Sequence, residues 1–344
     1  MTTASGPPRV SVIVVNWNGE SYVSECVDSL LAQTYPRLEI LVVDNGSTDG
    51  SVPLLRERYG GKIRVIVNRE NRGFAGGNND GMAEASGDYV ALINNDATAD
   101  SGWVAALVCE AERDVRVGMC ASKIISHDDP TVIDSAGLLL ARDGLGRGRG
   151  RLERDDGRFD RSEEVLVPSG CAALYRRAML AEIGTFDERF FMYCEDIDLG
   201  LRARLAGWRC RYAPDAVVRH RYSLSAGKYS LRKVFLVERN RVWVMVKSFP
   251  WSALALSPLW TIARLIWQTY AAVSGQGAAG RAVKTSSPWA LVRMVGRAYL
   301  AALRGAPAMW RARRRDRSGR IAREEVHRWL RDHGVTMRDV VLRE

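Results

Sequence analysis

The sequence predicts an α/β fold: a mostly parallel sheet of the nucleotide-binding type with helices on both faces, then a helical, basic C-terminal region. Three observations predict it. Strand-like apolar runs alternate with helically spaced stretches through the first third of the chain, as βαβ units require. The runs are continuous, which marks strands covered on both faces. Asn and Asp collect directly after them, at the carboxyl ends of strands, where open α/β sheets bind ligands.

Val10–Val15 is a β-branched run, and Tyr22–Gln33 follows with helical spacing through Val23, Cys26, Val27, Leu30 and Leu31. Glu39–Val43 reads as a second strand, Val52–Arg58 as a helix and Arg64–Val67 as a third strand. Phe74–Ala85 reads as a helix and Tyr89–Ile93 as a fourth strand. Between Arg142 and Asp160 the composition turns to Gly, Arg and Asp, which predicts a mobile surface loop. Cys171–Tyr175 then reads as a strand, Arg177–Ile183 and Glu195–Ala206 as helices, and Arg209–Tyr212 and Ala216–Val218 as short strands.

The 344 residues suit one large domain, 8–225, with an appendage, 226–344. Charge divides them similarly. Residues 1–220 carry 26 Lys+Arg against 33 Asp+Glu, and residues 221–344 carry 24 against 7. An acidic body with a basic tail implies an anionic surface as the tail's partner. Basic Gly-Arg segments can bind RNA, but a solvated loop suits 142–160 better, and no nucleic-acid partner is expected. The six cysteines (Cys26, Cys109, Cys120, Cys171, Cys194, Cys210) include no CxxC pair. With no signal-peptide pattern at the amino end, reduced thiols in the cytoplasm are expected.

Trp251–Val273 is 23 residues with Arg264 as its only charge, long enough to span a bilayer. However, Pro258 and Gln268 interrupt it, and basic residues flank both ends, Arg239, Arg241 and Lys247 before it, Arg281 and Lys284 after. A helix or hairpin lying in the interface fits better, with Trp251, Trp260 and Trp267 at headgroup depth. The expected location is therefore peripheral, on the cytoplasmic face of the cell membrane. A spanning or re-entrant segment and a soluble helical subdomain are the alternatives.

Asn94-Asn95-Asp96 follows the fourth strand. One Asp flanked by amides, with no cationic neighbour, suits a hard divalent cation bridged to phosphate oxygens; an ordinary Asn/Asp turn has the same composition. Asn16 ends the first strand without the GxGxxG of a dinucleotide site. Asp44, followed by Asn45-Gly46-Ser47-Thr48-Asp49, stands where an acidic group can accept from a base or ribose, although Ser47, Thr48 and Asp49 also suit helix capping. Arg72, Gly73 and Asn78 open the third helix, whose start offers N–H groups to phosphate. Glu195-Asp196-Ile197-Asp198 places three carboxylates in one helical first turn, as the macrodipole favours.

These segments together resemble the family 2 glycosyltransferases of the GT-A fold over roughly residues 8–225. That family transfers a sugar from a nucleotide donor with inversion at the anomeric carbon. The resemblance implies that Asp44 holds the base, and that Asn94 and Asp96 form a variant Asp-x-Asp motif for a metal-bound diphosphate. Asn stands here at the motif's first acidic position. It also implies Asp196 as general base, Glu195 as an acceptor-orienting group, and His220 as a metal ligand, Mn²⁺ suiting its imidazole better than Mg²⁺. Gly170, in Pro168–Ala172, matches the small-residue segment under the acceptor. Asp198 is expected to pair with Arg202 one turn on.

Finer resemblance, over Tyr193–Leu205, Arg219–Gly227 and Glu238–Arg241, points to the bacterial rhamnosyltransferase-like subgroup that builds on polyprenyl-diphosphate-linked sugars. The expected protein is thus an inverting, metal-dependent transferase moving rhamnose or a related hexose to a lipid-linked or cell-envelope saccharide. A nucleotidyltransferase and a non-catalytic membrane scaffold are the rivals. The first needs a basic Gly-rich loop after the first strand; the second needs no such set of carboxylates.

Overall fold

The sheet's first strands owe their place to side-chain alternation. Val12 and Val14 enter one core layer and Ile13 the other, and Val42 opposes Leu41 and Val43 in the same way. In a computed structural model describing residues 6–221, 230–277, 280–281, 287–315 and 321–343, the βαβ series is as expected. It runs β1 (Val10–Asn16), α1 (Val23–Leu31), β2 (Leu38–Asp44), α2 (Ser51–Tyr59), β3 (Arg64–Val67), α3 (Gly73–Glu84) and β4 (Tyr89–Asn94).

Next come β5 (Ala97–Ala99), α4 (Trp103–Ala111), β6 (Val117–Ser126), β7 (Ile133–Ser135), β8 (Leu138–Ala141), β9 (Gly146–Gly148) and β10 (Glu163–Val165). The body closes with β11 (Ala172–Arg176), α5 (Arg177–Ile183), α6 (Glu195–Leu205) and β12 (Arg209–His220). The main sheet runs β10-β12-β6-β11-β4-β1-β2-β3. The pairs among β4, β1, β2 and β3 are parallel, as is β12 with β6. β11 lies antiparallel between β4 and β6. Helices α1, α2 and α4 cover one face, while α3, α5 and α6 cover the other.

Three expectations need correction. The 142–160 segment is ordered: β8 and β9 pair with β13 (Gly334–Val335) in a small second sheet, and Asp143, Arg147 and Phe159 are buried. Ion pairs replace apolar contacts there, with Asp143 meeting Arg264 at 2.6 Å and Lys123 meeting Asp155 at 2.5 Å. The two short strands at 209–218 are one strand, β12, broken only by a register shift between Ala213 and Val217. The spanning alternative also fails, because no helix among the described residues is long and apolar enough to cross a membrane.

The tail comprises α7 (Leu231–Ser248), α8 (Trp251–Ser274), α9 (Pro288–Arg315), α10 (Glu325–Asp332) and α11 (Met337–Leu342). It shares a core with the body, where Phe190, Ile197 and Leu201 meet Trp243, Phe249, Met309 and Trp329. Arg264 points inward onto Asp143 and Glu238. Trp251 is exposed, but Trp260 and Trp267 pack against Ala141 and Met337, a correction to their expected headgroup depth. Lys284 and residues 222–227 of the Arg219–Gly227 segment lie outside the described residues.

Candidate active site

Register alone gathers the candidate residues at one edge of the sheet. Asn16 pairs with Asp44 across β1 and β2, and Val15 with Asn94 across β1 and β4. Because β11 is antiparallel, its first residues reach the same edge, Ala172 opposite Ile93 and the Asn94 N–H on the Cys171 carbonyl at 2.8 Å. His220 ends β12 opposite Ala97. Residues 16, 44, 94–96, 170–172 and 220 therefore share one crevice, the ligand-binding edge of an open α/β sheet.

On its donor side an amide network joins three strand ends. Asn95 Nδ2 donates to Asn16 Oδ1 at 2.8 Å, and Asn16 Nδ2 donates to Asp44 Oδ2 at 2.9 Å. Ser47 donates its hydroxyl to Asp44 Oδ2 at 2.6 Å and its N–H to Oδ1 at 2.9 Å. Asn45 gives its amide to the Gly73 carbonyl at 2.8 Å. Gly73 has φ of +73°-type left-handed backbone (+72°), and a Cβ there would sit 2.3 Å from the Phe191 carbonyl oxygen, so only glycine fits. Arg72 is ion-paired with Asp80 and Glu188. Asn78 is a correction: it is buried and donates to the Phe74 carbonyl of its own helix, with no surface left for a ligand.

At the cation position, His220 Nε2 lies 3.3 Å from Asp96 Oδ1, and both side chains are buried. Burial disfavours the imidazolium, but Cys171, Asp134 and Asp96 outweigh it and hold the His220 pKa well above the usual histidine value. Burial likewise works against the Asp134 carboxylate, and His220 and Arg151 more than offset it, keeping its pKa low. Among the described residues no three His, Cys, Asp or Glu converge closely enough to hold a metal unaided. The Asp96–His220 pair fits a divalent cation whose other positions are filled by phosphate oxygens and water.

On the acceptor side the Gly170 N–H donates to Asp196 Oδ2 at 3.0 Å. Burial raises the Asp196 pKa against the pull of the Gly170 and Ile197 N–H groups. Glu195 is pushed well above the carboxylate range by burial and by the charges of Asp196 and Asp198. Its Oε2 has no hydrogen-bond partner among the described residues. Asp198 faces away from Asp196, paired as expected with Arg202 at 3.0 Å and also with Lys247 at 2.8 Å.

The turn before these carboxylates is strained: Phe191, Tyr193 and Cys194 all have left-handed φ, between 64° and 72°. Asn240 of α7 clamps it, donating to the carbonyls of Phe190, Met192 and Tyr193 at 2.7–2.9 Å. No local sequence signal assigns Asn240 that part, since its partners lie 47 to 50 residues away.

Comparison with known proteins agrees with this geometry. The family described as Glycosyl transferase family 2 matches residues 11–184, and Glycosyl transferase family group 2 matches 151–303. An N-acetylglucosaminyl-diphospho-decaprenol L-rhamnosyltransferase of Mycobacterium tuberculosis is 30% identical over 263 residues, 67% of this chain and 85% of that protein. The O-antigen biosynthesis protein RfbC of Myxococcus xanthus is 27% identical over 256 residues, 72% of this chain but 19% of that protein. GalNAc-T7, solved with UDP, GalNAc and Mn²⁺, superposes with a TM-score of 0.60 at 18% identity, covering 76% of this chain and 51% of that one. The mannosyltransferase PcManGT of Pyrobaculum calidifontis, solved with GDP-Man and Mn²⁺, gives 0.54 at 20% identity, covering 91% and 86%. The chain belongs to the family 2 glycosyltransferases, is of their rhamnosyltransferase-like kind, and carries its transferase site on the GT-A fold.

Proposed function

We propose that this glycosyltransferase is inverting and metal-dependent, and moves rhamnose or a related hexose from a nucleotide-sugar donor to a polyprenyl-diphosphate-linked or other cell-envelope saccharide. The observation that carries the reading is the meeting of Asp96, His220, Gly170 and Asp196 at one sheet edge. The relative's rhamnosyl transfer to a decaprenol-linked N-acetylglucosaminyl diphosphate supports the sugar and acceptor classes. The Mn²⁺ bound in the two solved relatives supports the metal.

In this reading Asp44 accepts from the base, and the donor enters as the Ser47 hydroxyl turns aside. Asn16, Asn94 and Asn95 line the donor's path. Asp96 and His220 would hold the cation, which offsets charge developing on the departing diphosphate. Asp196 takes the proton of an acceptor hydroxyl as its oxygen bonds to the anomeric carbon and the bond from that carbon to the diphosphate oxygen breaks. Glu195 orients the acceptor, and Gly170 lets the sugar approach the backbone.

A membrane-facing acceptor suits the tail. Trp251, Leu259, Ile262, Ile266, Trp289 and Leu303 are exposed on α8 and α9, beside exposed Arg293, Arg297, Arg304, Arg311 and Arg314. We assign this face to an anionic membrane surface reached from the cytoplasm.

A panel of nucleotide sugars screened for Mn²⁺-dependent thermal stabilisation, followed by transfer to a lipid-linked N-acetylglucosaminyl diphosphate, tests the proposal. A dTDP-rhamnose-type donor is expected to raise the melting point and to be consumed. Diphosphate release from a nucleoside triphosphate, with no sugar transferred, would support the nucleotidyltransferase instead.

A further inference from the structure

The segment from Asp134 to Arg151 reaches the cation position although neither residue belongs to the strand ends that define the crevice. Asp134 lies in β7, which pairs with β6 through Ile133↔Ile125 and Ser135↔Ile124. Two partners on β6 thus face three residues on β7, and Asp134 is the extra one. Such a bulge re-aims the side chain of its extra residue. Here the carboxylate is aimed at His220, with Oδ2 at 2.7 Å from Nδ1, while Oδ1 accepts from the Arg151 guanidinium. Each carboxylate oxygen therefore has its own fixed partner.

The geometry points to Asp134 as a positioning residue for the metal centre; this rests on the metal-dependent reading above. Histidines that ligate metals donate their second ring N–H to a carboxylate, which fixes tautomer and ring plane. With Nδ1–H on Asp134, His220 presents Nε2 toward Asp96, the side on which the cation would sit. Arg151 keeps the Asp134 carboxylate ionised and prevents its rotation. The ordered 142–160 segment thereby has a functional reason for its order. Lys123 ties it down through Asp155 and Asp160, and Arg147 through the Asp339 and Arg343 carbonyls of the tail.

Mn²⁺ binding to the full-length protein, followed by electron paramagnetic resonance with and without dTDP, reads this directly. Asp134→Asn, nearly isosteric, and Asp134→Ala are each expected to weaken Mn²⁺ binding about 10–100-fold, while Asp134→Glu restores part of it. Combining Asp134→Ala with His220→Ala should weaken binding no further than His220→Ala alone, because Asp134 acts only through the ring. A folded Asp134→Asn that binds Mn²⁺ like the wild type overturns the inference. Additive losses in the double variant overturn it too. Wild-type protein that binds no Mn²⁺ under either condition removes the metal-dependent reading itself, which separates the two failures.

Discussion

The Gly170 N–H holds Asp196 Oδ2 at 3.0 Å, so the proposed base is fixed by the backbone of the segment proposed to lie under the acceptor. A Cβ at Gly170 would stand 3.1 Å from the Phe74 ring and 3.5 Å from Asp196 Cβ. Gly170→Ala is therefore expected to raise the acceptor KM several-fold and leave donor affinity unchanged, as steady-state kinetics with each substrate varied will show. Equal losses for both substrates would mean that the residue supports the fold at large.

Glu195 gives a pH signature. Its folded pKa lies above its unfolded value, so its contribution to stability is fully present below the usual glutamate pKa and is lost as pH rises through the raised value. Glu195→Gln removes that titration. Calorimetry should find the variant more stable than wild type at about pH 8, with the difference gone at about pH 4. No gain at the higher pH would show that the carboxylate finds a partner in solution.

Asn240 is expected to matter for catalysis from outside the crevice. Asn240→Asp sets an acceptor against three carbonyls, so it should cost about 2–4 kcal/mol of stability. It should also reduce kcat more than donor affinity, because the turn it clamps carries Asp196. Unchanged kcat in folded protein would detach the turn from the chemistry.

The tail is pinned by a buried charge cluster in which Arg264 meets Asp143 at 2.6 Å and Glu238 at 2.8 Å. Arg264→Met leaves buried carboxylates short of a cation and should cost about 3–5 kcal/mol in urea unfolding. Adding Asp143→Leu should recover much of that loss. Independent, additive losses would mean that the pair does not act as a unit.

The elements legible in the sequence are those whose apolar runs leave one physical solution. Val10–Val15, Glu39–Val43 and Tyr89–Ile93 can only be strands buried on both faces, and their polar ends locate Asn16, Asp44 and Asp96. β6 is harder to read because Gly118, Ser122 and Lys123 interrupt its run, Lys123 being accommodated only through distant Asp155 and Asp160. The same distance hides the order of the 142–160 segment, whose acidic and basic residues meet partners in β6 and the tail. Asp134 is a single Asp in a three-residue strand, and only the bulge reveals its direction. Asn78 was misplaced because helical periodicity does not say which face of α3 meets the sheet.

The most direct test compares Asp196→Asn with wild type for sugar transfer and for nucleotide-sugar binding by calorimetry in the presence of Mn²⁺. Loss of a base should lower kcat about 10²–10⁴-fold with donor affinity kept within a few-fold. Transfer at the wild-type rate by the variant would contradict the assignment of Asp196 as the group that deprotonates the acceptor.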